Sequence, residues 1–234
     1  MKPSAEQIVE IKTECRKRFG HERVIGIDLG QPLNLYVVIA AFGMREASDY
    51  VDSRAASSIQ AQSALVAERV LWPEPAALAD VRRLGGALDA KIEERFRELL
   101  GWSPNMAVCQ PFSAQSAPPG FASRDDLATK AAGLIASHPH SKLWSVWNRD
   151  NGLSLVIAGP EEDVYTAATA SIGEANRTRR GILTCVLSFV KPLVVWSPKP
   201  FDALLDEAPG RAEDLANPFL EMGGASATSS ATFL

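Results

Sequence analysis

Two imidazoles stand one residue apart at His138-Pro139-His140, enough to offer two nitrogen ligands to a metal ion. No cysteine, aspartate or glutamate lies beside them to complete a set, so a solvated loop is expected there. Arg177-Thr178-Arg179-Arg180 is the basic cluster of the second half and could meet phosphate. No aromatic residues are interleaved with it to stack on bases. A solvated helix face or a protein contact follows, with Arg177, Arg179 and Arg180 as candidate interface residues and no nucleic-acid partner expected. Nucleophilic chemistry has no local signature, since no G-x-S-x-G elbow occurs. Cys109 stands in no motif, and Cys185 falls in an apolar stretch that reads as core. With Cys15 they make three cysteines far apart, which is neither a disulfide framework nor a zinc spacing and points to a reducing compartment. His21 follows a helix end, where an imidazole can meet terminal carbonyls. No catalytic, cofactor-binding or metal-binding residue is assigned on these grounds.

The sharpest local motif is Ile25-Gly26-Ile27-Asp28-Leu29-Gly30. Its plain reading is a hairpin turn that uses Asp and Gly for backbone geometry. It also resembles the first strand of actin-like ATPases and of ribonuclease-H-like nucleases. That resemblance implies an aspartate at a strand end that coordinates Mg²⁺, with Asp28 as the ligand and glycine allowing close approach to phosphate. The chain lacks the second phosphate loop and adenosine motif of the actin-like fold. A nuclease also needs further carboxylates on neighbouring strands to hold two metals, and a mixed sheet with Asp28 at its centre.

The five tryptophans carry a different signal. Val70-Leu71-Trp72-Pro73 and Val194-Val195-Trp196-Ser197-Pro198 read as one helix-to-loop step written twice. Trp144 and Trp147 lie three apart in a strand and so face opposite ways, one of them exposed as an interface anchor. The tail from Gly223 to Leu234 is small and polar until Phe233-Leu234, which makes those two further interface candidates. Such a tail cannot offset its own ordering entropy.

Positioning these residues requires elements that the sequence marks clearly. Ser4 caps a first helix with Gln7 three residues on, and Gly20 ends it. Val24–Ile27 and Asn34–Phe42 form a hairpin. Helices follow over Arg45–Arg54, Ser58–Leu71, Ala76–Leu84 and Ala87–Leu100, the third and fourth parted at Gly85-Gly86. Ser103–Ala122, with four prolines, reads as a linker or extended arm. A helix capped at Ser123 runs to Ala136, and Leu143–Trp147 and Leu153–Ala158 flank a turn at Asn148–Gly152. A longer second helix is expected to end at Trp196. Val38-Ile39-Ala40 then answers to Val156-Ile157-Ala158, Tyr50 to Tyr165, and Phe96 to Phe219. The fold class is α+β, as two tandem units, each a β-hairpin followed by several α-helices, joined by a Pro-rich linker. The units span residues 1–102 and 123–224, the linker 103–122 and the tail 225–234.

Composition is ordinary for a globular chain of 234 residues, with 46% apolar and 22% charged residues. A net charge of −4 gives no pull toward nucleic acid or an anionic membrane. The apolar runs Leu35–Phe42 and Ile182–Trp196 are too short or too interrupted to span a bilayer. The recurring order of hairpin, tyrosine-bearing helix, hydrophobic-Trp step, Ala-Leu helix and final Phe-x-x-Leu-Leu-Gly resembles the tail assembly chaperone and baseplate-hub-associated proteins of tailed bacteriophages. Residues 24–102 carry it, and 143–224 more faintly. The resemblance implies a non-enzymatic structural or assembly role, without cofactor. It implies other phage tail or baseplate components as partners, and a place in the host cytoplasm or the virion tail.

Overall fold

In the computed structural model, residues 2–20, 23–31, 33–84 and 87–222 are described. His21, the Gly85-Gly86 break and the tail with Phe233 and Leu234 lie outside them. Helix α1 (Ala5–Phe19) begins as its capping box dictates: Gln7 N–H donates to Ser4 Oγ and Ser4 N–H to Gln7 Oε1. Arg16, Lys17 and Arg18 complement its C-terminal dipole, and Gly20 takes the left-handed cap at φ 67°. Strands β1 (Val24–Leu29) and β2 (Leu35–Ala40) pair antiparallel from Val24↔Ala40 to Leu29↔Leu35. Every residue of β2 is buried, because the sheet is covered on both faces. Cys15, with Ile8 and Ile11, packs on Val24, Tyr36 and Val38 on one side. Helices α2 (Met44–Ala56), α3 (Ser58–Arg69) and α5 (Leu88–Leu99) bring Tyr50, Leu65, Ile92 and Phe96 to the other.

Val70–Trp72 does not end a helix, contrary to the expected Ser58–Leu71 span. It forms β3, antiparallel to β2, with Val38↔Trp72 and Ile39↔Val70 across a bulge. A β-branched residue and a residue before proline both favour extended backbone, and β2 offers a free ladder edge. Helix α4 (Pro75–Leu84) then leads to α5.

The second unit repeats this order. After α6 (Leu127–Ser137) come β5 (Leu143–Asn148), β6 (Leu153–Ala158), α7 (Glu162–Thr178), α8 (Ile182–Val190), β7 (Val194–Trp196), α9 (Phe201–Glu207) and α10 (Ala216–Met222). Its hairpin pairs Leu143↔Ala158 through Asn148↔Leu153, matching the first pair for pair. β7 meets β6 at Val156↔Trp196 and Ile157↔Val194 with a bulge at the same step as in β2. The expected helix through Trp196 is corrected for the reason that applies at Trp72. The extra length lies in α7, since α8 has 9 residues against 12 in α3.

The segment Ser103–Ala122 joins the units but is no free linker. Val108–Pro111 forms strand β4 along the outer edge of β5, making a four-stranded antiparallel sheet. Pro111 is tolerated because an edge strand leaves one side of its ladder unpaired. Phe112 and Phe121 are buried over the outer face of this sheet, with Phe121 edge-on to Trp196 at 5.0 Å. Counting prolines and serines hides these two anchors.

The units are bound together. Leu183, Leu205 and Ala212 of the second pack with Met44 and Val51 of the first. Ser48 and Thr184 hydroxyls meet at 3.2 Å. Asp52 in α2 accepts from Gly181 and Ile182 N–H, capping α8 from the other unit. Asp52→Ala is therefore expected to lower the unfolding free energy by about 1–2 kcal/mol. Urea denaturation measures this, and a loss too small to detect would show that water satisfies the helix end equally well. Among the described residues no helix is long and apolar enough to cross a membrane.

Candidate functional site

The β5–β6 turn does more than close a hairpin. It reaches the inter-unit seam, where the end of α5 meets the 3-10 turn Pro209–Leu215. Asn148 and Asn151 Nδ2 both donate to Asp214 Oδ2, at 2.9 and 2.6 Å. The same amide groups also reach Asn105 O and Gly101 O, at 2.9 and 2.8 Å. Their carbonyl oxygens accept from Asp150 and Leu153 N–H, so each asparagine fixes the turn and the seam together. Asp150 receives Ser103 Oγ and Asn105 Nδ2, which hold its carboxyl below the usual range, Asn105 more strongly. Trp102 Nε1 donates to Glu213, and the Arg97 guanidinium lies 5.8 Å from the centre of the Trp102 ring.

Between these groups opens a pocket of about 160 Å³, with Arg97, Trp102, Asn105, Met106, Asp214 and Asn217 in its wall. It offers hydrogen bonds of both polarities and one carboxyl that exchanges a proton near neutrality. Burial pushes Asp214 up to about 6, against the two amide donors that lower it, and neighbouring Glu213 and Asp150 add to the rise. With its folded value above its unfolded one, the native chain holds a proton that the unfolded chain has released between about pH 4 and 6. The stability this group contributes is thus fully present below pH 4 and lost as pH rises to about 6. Relative to Asp214→Asn, the unfolding free energy should fall by about 1–2 kcal/mol across that window, allowing for solvent screening. Urea titrations at several pH values test this. Parallel curves for the two proteins would remove Asp214 from the account.

A second polar cluster lies deeper. Glu93, 4% exposed, accepts from the Tyr50 hydroxyl and Arg54 Nε on one oxygen and from Gln62 Nε2 on the other. Burial first, then the bond to Glu93, raises the Tyr50 hydroxyl far above its ordinary range and holds it protonated. Three helices meet at one carboxylate, an arrangement that fixes packing and leaves no oxygen of the carboxylate without a donor.

The residues singled out from sequence are not brought together. Asp28 lies on edge strand β1 of an all-antiparallel sheet, paired with Lys2 Nζ at 2.6 Å, not at the centre of a mixed sheet. No three His, Cys, Asp or Glu side chains among the described residues are grouped to hold a metal ion. His138 Nδ1 lies 3.0 Å from Leu134 O at the end of α6. Burial raises the Cys15 and Cys185 thiols. Trp144 and Trp147 do take opposite faces, but both are half-buried, under the Lys142 ammonium and the Arg149 guanidinium respectively. Arg177 pairs with Glu174 on its own helix. Arg179 donates to Ala56 O of the first unit, and Arg180 is exposed beside it.

Glu93 was legible in principle: it sits three residues before Phe96 and seven before Leu100, on the apolar stripe of α5. Asp214 and Asp52 had no local signal, since their partners lie 63 or more residues away. Comparison with known proteins finds no match to this chain among family models, curated proteins or solved structures.

Proposed function

We propose that the chain is a non-enzymatic structural or assembly protein of a phage tail or baseplate, acting through protein contacts with other tail components. The supporting observation is the recurrence of one order of elements with one strand register, Val38↔Trp72 in the first unit and Val156↔Trp196 in the second. That order is the pattern on which the resemblance rests. The polar clusters fit the reading, because they join element to element and unit to unit. Two such units clamped by buried contacts make a rigid body that presents surfaces at fixed separation, which suits a part of an assembly.

The experiment is to assemble tails from the neighbouring structural genes with and without this one. Tails that are absent or lack a baseplate without the protein support the reading, and normal tails overturn it. Mass spectrometry of purified particles then separates a resident component from a chaperone that leaves.

A further inference from the structure

The outer edges of the two sheets differ. In the second unit β4 runs antiparallel along β5, from Val108↔Trp147 to Pro111↔Trp144. In the first unit the equivalent edge belongs to β1, which pairs only with β2 among the described residues. Matching the hairpins by register sets Ile25, Gly26, Ile27 and Asp28 where Trp144, Ser145, Val146 and Trp147 meet β4. The first sheet thus keeps an open ladder at the position that the second sheet fills, and an open ladder is a template for another strand.

We propose that this edge takes β1 of a second copy of the chain, antiparallel about a two-fold axis at Ile27. The two three-stranded sheets then become continuous. Residues opposite one another in an antiparallel pair share a face. Ile25, Ile27 and Leu29 pack on the helical core, whereas Val24 packs with α1 and Gly26 and Asp28 share its face. Centring on Ile27 sets Ile25 against Leu29 of the other copy, which extends the inner apolar row. It also sets Asp28 against Gly26. That glycine lies under the Tyr36 hydroxyl from the neighbouring strand, with Lys12 of its own chain beside it: a Cβ added there would meet Tyr36 first and lie 2.9 Å from Lys12 Cε. Lys12 has no ion-pair partner among the described residues. The carboxylate of each copy therefore arrives beside Lys12 of the other, twice by symmetry, as an isologous interface requires. The pair Asp28 now makes with Lys2 is exposed on both sides and readily exchanged. Centring on Gly26 instead would set Asp28 against Val24 and lose this complement. The reciprocal acid–base match selects a second copy over an unrelated extended segment, and the inference does not depend on the phage reading.

The test is sedimentation of the full chain over a concentration series, with hydrogen exchange of residues 24–29 at each concentration. A monomer–dimer equilibrium is expected, with β1 amides gaining protection as the mass doubles. Asp28→Lys or Lys12→Glu alone should raise the dissociation constant roughly tenfold or more, and the two together should restore it. A monomer throughout the series overturns the proposal, as does a dimer indifferent to both reversals or one whose β1 amides stay unprotected. If a variant fails to fold, exchange on the unaltered chain decides alone.

Discussion

Replacing Glu93 with alanine is expected to lower the unfolding free energy by about 3–5 kcal/mol, because it removes the one acceptor shared by the buried Tyr50 hydroxyl and two half-buried donors. The Tyr50 hydroxyl, Arg54 Nε at 2.9 Å and Gln62 Nε2 at 2.8 Å all end on this carboxylate. Tyr50 is itself 6% exposed and packs against Phe42 and Trp102, so its hydroxyl cannot turn to water without moving the core. A cavity left on the stripe between Ile92 and Phe96 adds to the loss. Glu93→Gln should cost less, about 1–2 kcal/mol, since it keeps one acceptor but turns an amide toward the Gln62 amide. Tyr50→Phe should cost least, because Arg54 and Gln62 still satisfy the acid. Urea unfolding of the three variants gives the order directly, and an alanine variant within experimental error of the parent would mean that solvent reaches the site.

The second unit shows what the network replaces. Tyr165 occupies the place of Tyr50, but Thr169 stands four residues on where Arg54 stands in the first unit. Aligning Phe219 with Phe96 puts Ala216 at the position of Glu93. Tyr165 instead stacks on Phe219, with ring centres 6.1 Å apart. One unit fills the crossing of its helices with a satisfied ionic cluster and the other with apolar packing, on the same scaffold.

Local chemistry marked most of the fold in the sequence. The Ser4–Gln7 box, the apolar run of β2 and the Asn148–Gly152 turn each name their element from within a few residues. β3 and β7 look like helix ends in the sequence because a three-residue strand is decided by its partner: Val70 and Val194 are strand residues only where β2 or β6 offers a ladder. β4 is masked by the prolines and serines on either side of it, and it forms only against β5, some 35 residues later. The seam was wholly illegible, since Asp52, Asp214 and Gly101 meet partners that only tertiary packing brings near. For Trp144 and Trp147 alternation gives opposite faces correctly, but neither is the exposed one expected, because the covering Lys142 and Arg149 follow from the strand's flanks and not from its period.

Gly210→Ala carries the other large expectation, a loss of about 3 kcal/mol or more and a weakened coupling between the units. A Cβ at this position would lie 2.3 Å from Trp102 N and 2.6 Å from Gly101 C. Both are backbone atoms, so no rotamer change can make room. Gly210 N–H also donates to Leu100 O at 3.0 Å, which fixes the approach from the other side. Nor can the Trp102 segment retreat, because its indole is bonded to Glu213 and its ring is set edge-on to Tyr50 at 5.9 Å. Gly101 is committed as well, at φ 86° and with Ala208 Cβ across from it. The methyl group must therefore part the units at this close backbone approach. Gly133→Ala in α6 is the control: a Cβ there meets nothing within 4 Å, and a helical glycine replaced by alanine should gain about 0.5–1 kcal/mol. In thermal unfolding the control should keep a single transition at a raised midpoint, whereas Gly210→Ala should broaden it or split it in two. A sharp, unshifted transition for Gly210→Ala would show that the units hold together through α2 and α8 alone.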